Sequence, residues 1–541
     1  SMSRPCVDRR TFIGGGAALA LGTLPLVSLG QDRRLATIGG IARTRAGRVR
    51  GLLKDGVHQF WCVPYGAPTS GENRFMPPRP PAPWSGVKDH FEITFAAPIE
   101  PGAEEPAPVV TALNRHTPQS EDCLTLNIFT PGLDGEARPV MVWLHGGGFS
   151  VGSGNYLLYD GTNLAKKENV VVVSVNHRLN VFGFLHLADI GGEKWARSTN
   201  VGLQDLVAAL AWVRDNIESF GGDPDRVTIF GQSGGGGKTT TLMAMPSARG
   251  LFHRAIAQSG SAFRGQTADD ATEGALRLLR RLGIDERNLD RLHDLDFREI
   301  QAAYYAEPRI PRLATGPVID GTILPRHQWD PTAPAYSADV PLIAGSTETE
   351  DGWIGPPPYD LSDDEMLERF STRIANGDRD EGRRLIELYK RLHPNRRNQM
   401  LWLTADADNT RRYNAQQLCR LKHAQNAAPA YLYFFDWHSP VHNGRMGAYH
   451  TLDIPFVLYK LDIGASMTGA AQSRYELGHV MSAAWAAFAR TGDPNHPDMP
   501  RWPQFDPERY PTMTFGETVR VENDPNREAR LAIEALKRQA S

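Results

Sequence analysis

The residue with the clearest potential for chemistry is Ser233, which lies in the sequence Gly-Gln-Ser-Gly-Gly after the apolar run 226–230. A serine on a sharp turn between a strand and a helix exposes its hydroxyl group, but its backbone is strained. Side chains beside such a turn would clash, which explains the glycines at Gly231 and Gly235. The first N–H groups of the following helix can stabilise negative charge on a substrate oxygen. The pattern therefore predicts a nucleophilic serine that forms a covalent intermediate.

The same segment has two competing interpretations. A glycine-rich turn can contain a serine without any function, and a phosphate-binding loop is suggested because the segment ends in Gly237-Lys238-Thr239 after a strand. That loop requires a glycine, four residues and then Gly-Lys-Ser/Thr. Counting back from Gly237, the required glycine falls on Gln232, and Gly231 is one residue too far. The spacing therefore argues against nucleotide binding.

A second glycine cluster supports the nucleophile. The segment 144–149 reads Leu-His-Gly-Gly-Gly-Phe and closes the apolar run that begins at Val140. Consecutive glycines after a strand let bare N–H groups approach a ligand, as in the oxyanion hole of lipases and esterases. The two motifs, in this order and each behind a strand, together favour acyl transfer.

The apolar pattern of the chain predicts the scaffold that would position these motifs. Continuous apolar runs are typical of strands buried on both faces, and the segment 203–220 has helical spacing and ends at two glycines. Alternating strands and helices predict an α/β sheet with right-handed crossovers. The predicted strands are 140–145, 170–176, 226–230, 341–345 and 430–435. The charged helical stretches at about 265–315 and 360–430 are expected to be insertions that cap the sheet.

Composition excludes several classes of protein. The chain has 541 residues, of which 41% are hydrophobic and 22% charged, and its net charge is −3. These values exclude a disordered chain, a collagen and a coiled coil, and the balanced charge argues against binding to nucleic acid. The length would allow several domains, but no internal repeat or linker divides it. We therefore expect one catalytic domain over 31–541.

The first thirty residues have the pattern of an export signal. Arg9-Arg10 precede Phe-Ile and the glycine-rich apolar stretch 12–30, which resembles the twin-arginine signal of bacteria. A transmembrane anchor is the alternative, but a span needs about 20 strongly apolar residues. Ser1 ahead of Met2 is interpreted as an addition to the natural chain. The expected location is the periplasm or the medium, with no stable membrane span in the mature form.

The cysteines do not form a disulfide framework. Cys6 lies in the predicted signal, which leaves Cys62, Cys123 and Cys419. Export would expose these thiols to an oxidising compartment, where one bridge at most could form. Their spacing does not match a metal site, and buried free thiols are the preferred interpretation.

Beyond these patterns, the chain resembles the type-B carboxylesterases, the family of α/β-hydrolases that includes the cholinesterases. The resemblance rests on motifs spread over most of the chain beyond the predicted signal. They are Arg74-Phe75 with Trp84, Ser-Glu-Asp-Cys-Leu at 120–124, Asn-Val-Gly-Leu-Gln-Asp at 200–205, Phe-Gly-Gly-Asp-Pro at 220–224, Gln-Ser-Gly-Ser at 258–261 and Gly-Asp-Pro-Asn at 492–495. The resemblance implies an α/β-hydrolase fold, in which a large, mostly parallel sheet is flanked by helices. It also implies a serine carboxylic-ester hydrolase.

The serine requires a general base, and the base requires an acid that orients it. In this fold the chain order is serine, acid, histidine. Spacing alone leaves His438, His442 and His450 open as the base. The resemblance selects His450, because the segment 447–456 is similar to the family's Gly-Ala-x-His…Glu-Leu-Pro-Phe segment.

The acid is expected directly after the strand 341–345. Family segments that run from glycine through four residues to glutamate place it at Glu350, counting from Gly345. The common Asp-Glu-Gly pattern would instead place it at Asp351, directly before Gly352. Glu350 is the preferred prediction.

The resemblance also assigns the remaining parts of the site. The N–H groups of Gly147, Gly148 and Gly234 are expected to form the oxyanion hole, and Ser259 to lie beside the triad. The elbow departs from the family's usual Gly-Glu-Ser-Ala-Gly at Gln232 and Gly234, without loss of the N–H donor. The upstream cysteine that pairs with the Ser-Glu-Asp-Cys-Leu cysteine in animal relatives is missing, so no such bridge is expected. The chemistry requires neither a metal nor an organic cofactor.

The expected substrate is an ester of a small-to-medium organic molecule, which includes multi-ester xenobiotics and natural products such as mycotoxins. An amidase or acyltransferase with the same triad is one alternative, and a non-catalytic cholinesterase-like binding protein is another. Arg264, Arg309 and Arg312 could favour an acidic acyl group, although solvated surface charge is the simpler interpretation. Tyr156, Phe149 and Trp353 could line a pocket. A monomer or a homodimer is expected.

Overall fold

Apolar runs rich in β-branched residues form the strands of one large sheet. The computed structural model describes residues 35–103, 117–352 and 359–540, so the predicted export signal at 1–30 lies outside the described residues. The run Val171–Val175 is buried along its whole length, as expected for a strand covered on both faces. The strands are β1 Thr37–Arg43, β2 Arg48–Lys54, β3 Val57–Pro64, β4 Val87–Asp89, β5 Thr125–Thr130, β6 Arg138–Leu144, β7 Val171–Val175, β8 Gly222–Gln232, β9 Arg254–Gln258, β10 Gln266–Thr267, β11 Val318–Ile319, β12 Leu342–Thr347, β13 Ala430–Phe435, β14 Pro511–Phe515 and β15 Arg520–Asn523.

The main sheet is parallel at its centre and antiparallel at its edges. The hydrogen-bonded order of its strands is β1-β2-β3-β5-β7-β6-β8-β9-β12-β13-β14-β15, and β4 pairs with β2. All neighbours from β7 through β14 run parallel, whereas the pairs from β1 to β7 along this path and the pair β14-β15 are antiparallel. The five predicted strands are confirmed, the last with unchanged ends. The third extends further than expected, because β8 begins at Gly222 and ends at Gln232.

Helices cover both faces of this sheet. They are α1 Thr162–Glu168, α2 Asn180–Phe184, α3 Val201–Asn216, α4 Gly234–Leu242, α5 Ala268–Arg281, α6 Arg291–Asp294, α7 Phe297–Tyr305, α8 Asp363–Arg373, α9 Arg379–Leu392, α10 Asn398–Ala407, α11 Tyr413–Ala424, α12 Ile454–Val457, α13 Ala465–Thr468, α14 Ser473–Thr491 and α15 Arg527–Ala540. The predicted helix 203–220 is α3 followed by a 3₁₀ turn, Ile217–Phe220. The two charged stretches contain α5–α7 and α8–α11. Within the described residues, no helix is long and apolar enough to cross a membrane.

Successive side chains of a strand point to opposite faces, and β6 shows how this divides the core. Val140 and Val142 belong to one apolar cluster, and Met141 and Trp143 belong to the cluster on the other face. The thiols of Cys62, Cys123 and Cys419 are buried, as predicted.

A buried ion pair ties the loop after β7 to α3. Nη2 of Arg178 lies 2.6 Å from Oδ1 of Asp205, and the two side chains are 2% and 0% exposed. Nε of Arg178 donates to Oδ2 at 2.8 Å, and Nη1 donates to the carbonyl of Met76 at 2.8 Å. Because each charge depends on the other for its partner, the pair is sensitive to loss of either side chain.

Replacing Asp205 by alanine is expected to lower the free energy of unfolding by about 3–5 kcal/mol, because the buried guanidinium loses its counter-charge. Urea denaturation followed by tryptophan fluorescence measures this loss. The matched control is Asp290→Ala, which removes an ion pair with Lys194 whose side chains are 54% and 62% exposed. Such an exposed pair contributes about 0–1 kcal/mol. Similar losses in the two variants would contradict the assigned role of the buried pair.

Candidate active site

The nucleophile candidate Ser233 lies between the end of β8 and the start of α4. Its backbone has φ 59° and ψ −123°, a conformation that residues with a side chain rarely adopt. Its N–H donates to the carbonyl of Gln258 at 2.8 Å, which ties the turn to the end of β9. A Cβ at Gly231 or Gly235 would lie 2.4 or 2.0 Å from the carbonyl oxygen of Leu144. The flanking glycines are therefore required by the close approach of β6.

Ser233 is half-buried, and the glycine loop beside it is exposed. Gly147 and Gly148 have φ values of +92° and +62°, which glycine adopts without strain. A Cβ at Gly234 would lie 2.2 Å from the carbonyl oxygen of Gly148 and 2.5 Å from its nitrogen. A Cβ at Gly146 would lie 3.5 Å from the Cβ of Ser233. The structure thus brings the predicted oxyanion loop into contact with the turn that carries the serine.

His450 and Glu350 meet at the same edge of the sheet. Glu350 follows β12 and His450 follows β13, and the carboxyl ends of these parallel neighbours lie side by side. Nδ1 of His450 is hydrogen-bonded to Oε2 of Glu350, and the N–H of His450 donates to the carbonyl of Glu350 at 3.0 Å. The N–H of Thr347 donates to Oε1 of Glu350 at 2.9 Å. The side chains of His450 and Glu350 are 3% and 1% exposed.

The alternative residues lie elsewhere. The side chain of Asp351 is 47% exposed and lies 4.0 Å from Arg373. His438 is bound to a different carboxylate, Glu348, at 2.5 Å. His442 is exposed on a loop. The structure therefore brings Glu350 and His450 together and leaves the other candidates apart from them.

Burial favours the neutral form of the imidazole. Burial lowers the pKa of His450, Arg411 lowers it further, and Glu350 raises it, so that the pKa stays below its ordinary value. Burial raises the pKa of Glu350, but His450 and Arg411 outweigh burial and hold that pKa below its ordinary value. A neutral imidazole beside an ionised carboxylate is the state in which histidine accepts a proton. The amide nitrogen of Gln232 lies 3.2 Å from Nε2 of His450.

Ser259 lies at the end of β9 beside Glu350. It is buried and has a φ of 48°, and its N–H donates to the carbonyl of Gly345 at 2.9 Å. Its hydroxyl group is among the causes that lower the pKa of Glu350. The structure thus places Ser259 near Glu350.

Sequence reasoning missed two charged neighbours of this site. Nε of Arg411 lies 3.6 Å from Oε2 of Glu350. Asp453 follows His450 closely in the chain and is buried. Its Oδ2 accepts from Gln258 at 3.0 Å and from Tyr433 at 2.8 Å. Burial raises the pKa of Asp453 to about 6. Asp453 lies in the segment 447–456 that resembles the family, which was a signal for it. Arg411 lies in a helical pattern without a distinguishing motif.

The arginines considered for an acidic acyl group are each paired with carboxylates. Arg264 pairs with Asp330, Arg309 with Glu100 and Glu307, and Arg312 with Asp270 and Glu273. Their side chains are 50–62% exposed, so the interpretation as solvated surface charge is favoured.

The aromatic candidates for a pocket differ in their surroundings. Phe149 packs edge-on against Phe184 with ring centroids 5.4 Å apart, and Tyr156 packs against Tyr159. Trp353 lies outside the described residues.

Within the part of the chain that the structure describes, no group of three or more His, Cys, Asp or Glu side chains is arranged to hold a metal ion.

A strained serine at a strand–helix turn, facing a glycine loop beside a His–Glu pair, defines a hydrolase of the α/β-hydrolase fold. The sequence model of the Carboxylesterase family matches residues 39–532, and the chain belongs to this family. The para-nitrobenzyl esterase of Bacillus subtilis (strain 168) is 35% identical over 501 residues, which cover 91% of this chain and 97% of that protein. The phenmedipham hydrolase of Pseudarthrobacter oxydans is 34% identical over 518 residues, with 92% and 99% covered.

Solved structures agree with this assignment. The carboxylesterase EST55 of Geobacillus stearothermophilus superposes with a TM-score of 0.78 at 36% identity, covering 91% of this chain and 99% of that one. An esterase from Clostridium hathewayi superposes with a TM-score of 0.80 at 32% identity, covering 93% and 100%. The chain is therefore a carboxylic ester hydrolase with the α/β-hydrolase fold.

Proposed function

We propose that Ser233, His450 and Glu350 form the catalytic triad of this esterase and that the N–H groups of Gly147, Gly148 and Gly234 form its oxyanion hole. The proposal rests on the buried hydrogen bond between His450 and Glu350. This bond lies at the edge of the sheet at which β8 ends and Ser233 follows. The contact between Gly148 and Gly234 supports the second part, because it holds the two sources of N–H donors together.

The mechanism follows from these positions. Oγ of Ser233 attacks the ester carbonyl while Nε2 of His450 takes its proton. Glu350 holds the imidazole in the tautomer with hydrogen on Nδ1 and stabilises the imidazolium that forms. The oxyanion of the tetrahedral intermediate is stabilised by the backbone donors, each of which typically contributes a factor of about 10²–10³ in turnover. His450 then protonates the departing alcohol, and an acyl-enzyme remains.

Water completes the reaction on the same side chains. His450 removes a proton from the water molecule, hydroxide adds to the acyl carbonyl, and the proton returns to Ser233 when the acid leaves. Every step uses groups of this chain. His450 must be neutral to accept the proton of Ser233. We therefore expect kcat/KM to rise with pH through the pKa of His450 in the enzyme without substrate, and then to level off.

We propose esters of small-to-medium neutral organic molecules as substrates, including compounds with more than one ester bond. The relatives support this range, since their names refer to para-nitrobenzyl esters and phenmedipham, and one solved relative is an esterase that hydrolyses aliphatic aromatic polyesters. Ser233 is half-buried, and Gly147 and Gly148 beside it are exposed. The pairing of Arg264, Arg309 and Arg312 with carboxylates argues against selection of an acidic acyl group.

The twin-arginine pattern at 1–30 remains the basis for proposing a periplasmic or secreted enzyme. Fractionation of cells that express the full chain tests this location. Recovery of the chain with its first thirty residues in the cytosolic fraction would contradict it.

Labelling with a fluorophosphonate tests the assignment of the nucleophile directly. We expect one covalent adduct per chain in the intact mass, and peptide mapping should place it on Ser233, because the reagent needs an activated serine beside an oxyanion hole. Prior heating of the protein provides the control, since an unfolded chain should take no adduct. An adduct on another serine would reject the assignment, and a folded chain without an adduct would favour a non-catalytic role.

A further inference from the structure

The helix that packs beside the triad contains an irregular turn. A π-helical segment, Asp408–Arg412, joins α10 to α11. Such a turn holds one extra residue and rotates the side chains that follow, and it occurs frequently at functional sites. Arg411 lies within it, with a side chain 33% exposed.

The side chain of Arg411 reaches from this turn to Glu350, the acid of the proposed triad. Nη1 donates to the carbonyl of Ser259 at 2.6 Å, and Nε lies 3.6 Å from Oε2 of Glu350. Oε2 is also the oxygen that is hydrogen-bonded to His450. The adjacent Arg412 is engaged differently, since it lies 3.0 Å from Asp408 and donates to the carbonyl of Pro525. One carboxylate oxygen of Glu350 is therefore shared between the imidazole and a guanidinium.

This arrangement has two consequences for the reaction. The bond to the Ser259 carbonyl fixes the guanidinium at the end of β9, close to the carboxylate oxygen that also contacts the imidazole. A second positive charge near Oε2 also opposes the formation of imidazolium, because like charges in a buried site repel. The groups that act on His450 are Glu350 and Asp351, which favour its charged form, and Arg411 and burial, which oppose it.

We propose that Arg411 is a positioning residue of the esterase, which holds the Glu350 carboxylate and extends the activity of the enzyme towards lower pH. The inference rests on the proposed triad and goes beyond it, because it assigns the acidic limit of activity to a residue on a helix. Without the guanidinium, a second positive charge no longer offsets the Glu350 carboxylate near His450, and the imidazole takes up its proton at a higher pH.

The test is the pH profile of kcat/KM for p-nitrophenyl acetate between pH 5 and 9 in the Arg411→Met variant. Methionine keeps much of the length of the side chain and removes its charge. We expect the midpoint of the acid limb to rise by about 0.5–1 pH unit, as befits the loss of one nearby charge. Well below both midpoints, activity relative to that at pH 8 should therefore fall by about 3–10-fold, because a shift of one pH unit there changes the fraction of neutral imidazole about tenfold.

Two further variants separate charge from structure. Arg411→Lys keeps the charge and should return the midpoint towards that of the unchanged enzyme. Arg411→Gln keeps a donor for the Ser259 carbonyl without the charge and should behave like Arg411→Met, which provides a second route if the methionine variant folds poorly. The matched control is Arg420→Met on α11, whose side chain is 44% exposed and lies 3.8 Å from Glu534. Its midpoint should not move.

A midpoint that stays unchanged or falls in both uncharged variants would overturn the proposal, even if activity drops equally at every pH. That result would give Arg411 a purely structural role. Failure of the triad itself is recognised separately, because an Arg411→Met protein should still take the fluorophosphonate adduct on Ser233 at pH 8.

Discussion

Replacing Ser233 by alanine is expected to lower kcat for p-nitrophenyl acetate by about 10⁶-fold, because removal of a triad nucleophile costs roughly this much in serine hydrolases. Alanine cannot form the acyl-enzyme, so the reaction loses the covalent route. The oxyanion donors and the binding surface remain, and they sustain a residual acceleration of about 10³–10⁴ over water. Steady-state kinetics with highly purified protein measures the loss, and the fluorophosphonate adduct should disappear with it.

The fold should tolerate this change. The backbone of Ser233 holds the turn in place, since its N–H donates to the carbonyl of Gln258 and its carbonyl accepts from the N–H of Gly237 at 3.1 Å. Alanine keeps both bonds and the same strained φ, so the thermal midpoint is expected to stay within a few degrees. Ser261→Ala, in the loop that follows β9, is the matched control and should retain full turnover. Activity of the Ser233 variant within tenfold of the unchanged enzyme would refute the nucleophile.

Replacing Glu350 by glutamine is expected to lower kcat by about 10³–10⁴-fold, in line with the effect of amide replacement in other triads. Glutamine keeps the shape of the side chain but cannot both accept from Nδ1 of His450 and supply a negative charge. The imidazolium that forms during attack then lacks its counter-charge. Arg411, which lies 3.6 Å from this carboxylate, would also face a neutral group.

Asp351→Asn is the matched control for the acid, because both residues lie on the same short turn, Glu350–Gly352. Asp351 is half-exposed and lies near Arg373 rather than in contact with the imidazole. We expect its replacement to change kcat by less than about tenfold, because an exposed charge such as that of Asp351 interacts only weakly with the imidazole of His450. A larger loss from Asp351→Asn than from Glu350→Gln would exchange the two assignments.

The parts of the site that depend on local backbone geometry could be predicted from the sequence. The close approach of β6 requires the glycines that flank Ser233, and Gly147 and Gly148 have positive φ values that favour glycine, so both segments can be recognised in the sequence. The apolar strands that carry them are continuous runs, and the structure confirms them. The order of strands in the sheet then decides which carboxyl ends meet, and local patterns do not specify that order.

The base and its neighbours depend on contacts between distant segments. His438, His442 and His450 all follow β13, and the folded chain brings His438 to Glu348 and His450 to Glu350. The choice therefore needed the family resemblance. Arg411 could not be predicted, because its direction depends on a π-helical turn that gives no signal in the apolar pattern.

The close contact between Gly148 and Gly234 has a consequence for how this enzyme can be altered. A methyl group at position 234 would lie 2.2 Å from the Gly148 carbonyl oxygen, so alanine fits here only if the glycine loop moves. The effect of a substitution at Gly234 therefore depends on the path of the glycine loop. An elbow with alanine at this position therefore needs a different path of the loop at Gly147 and Gly148, which couples two segments that lie far apart in the chain.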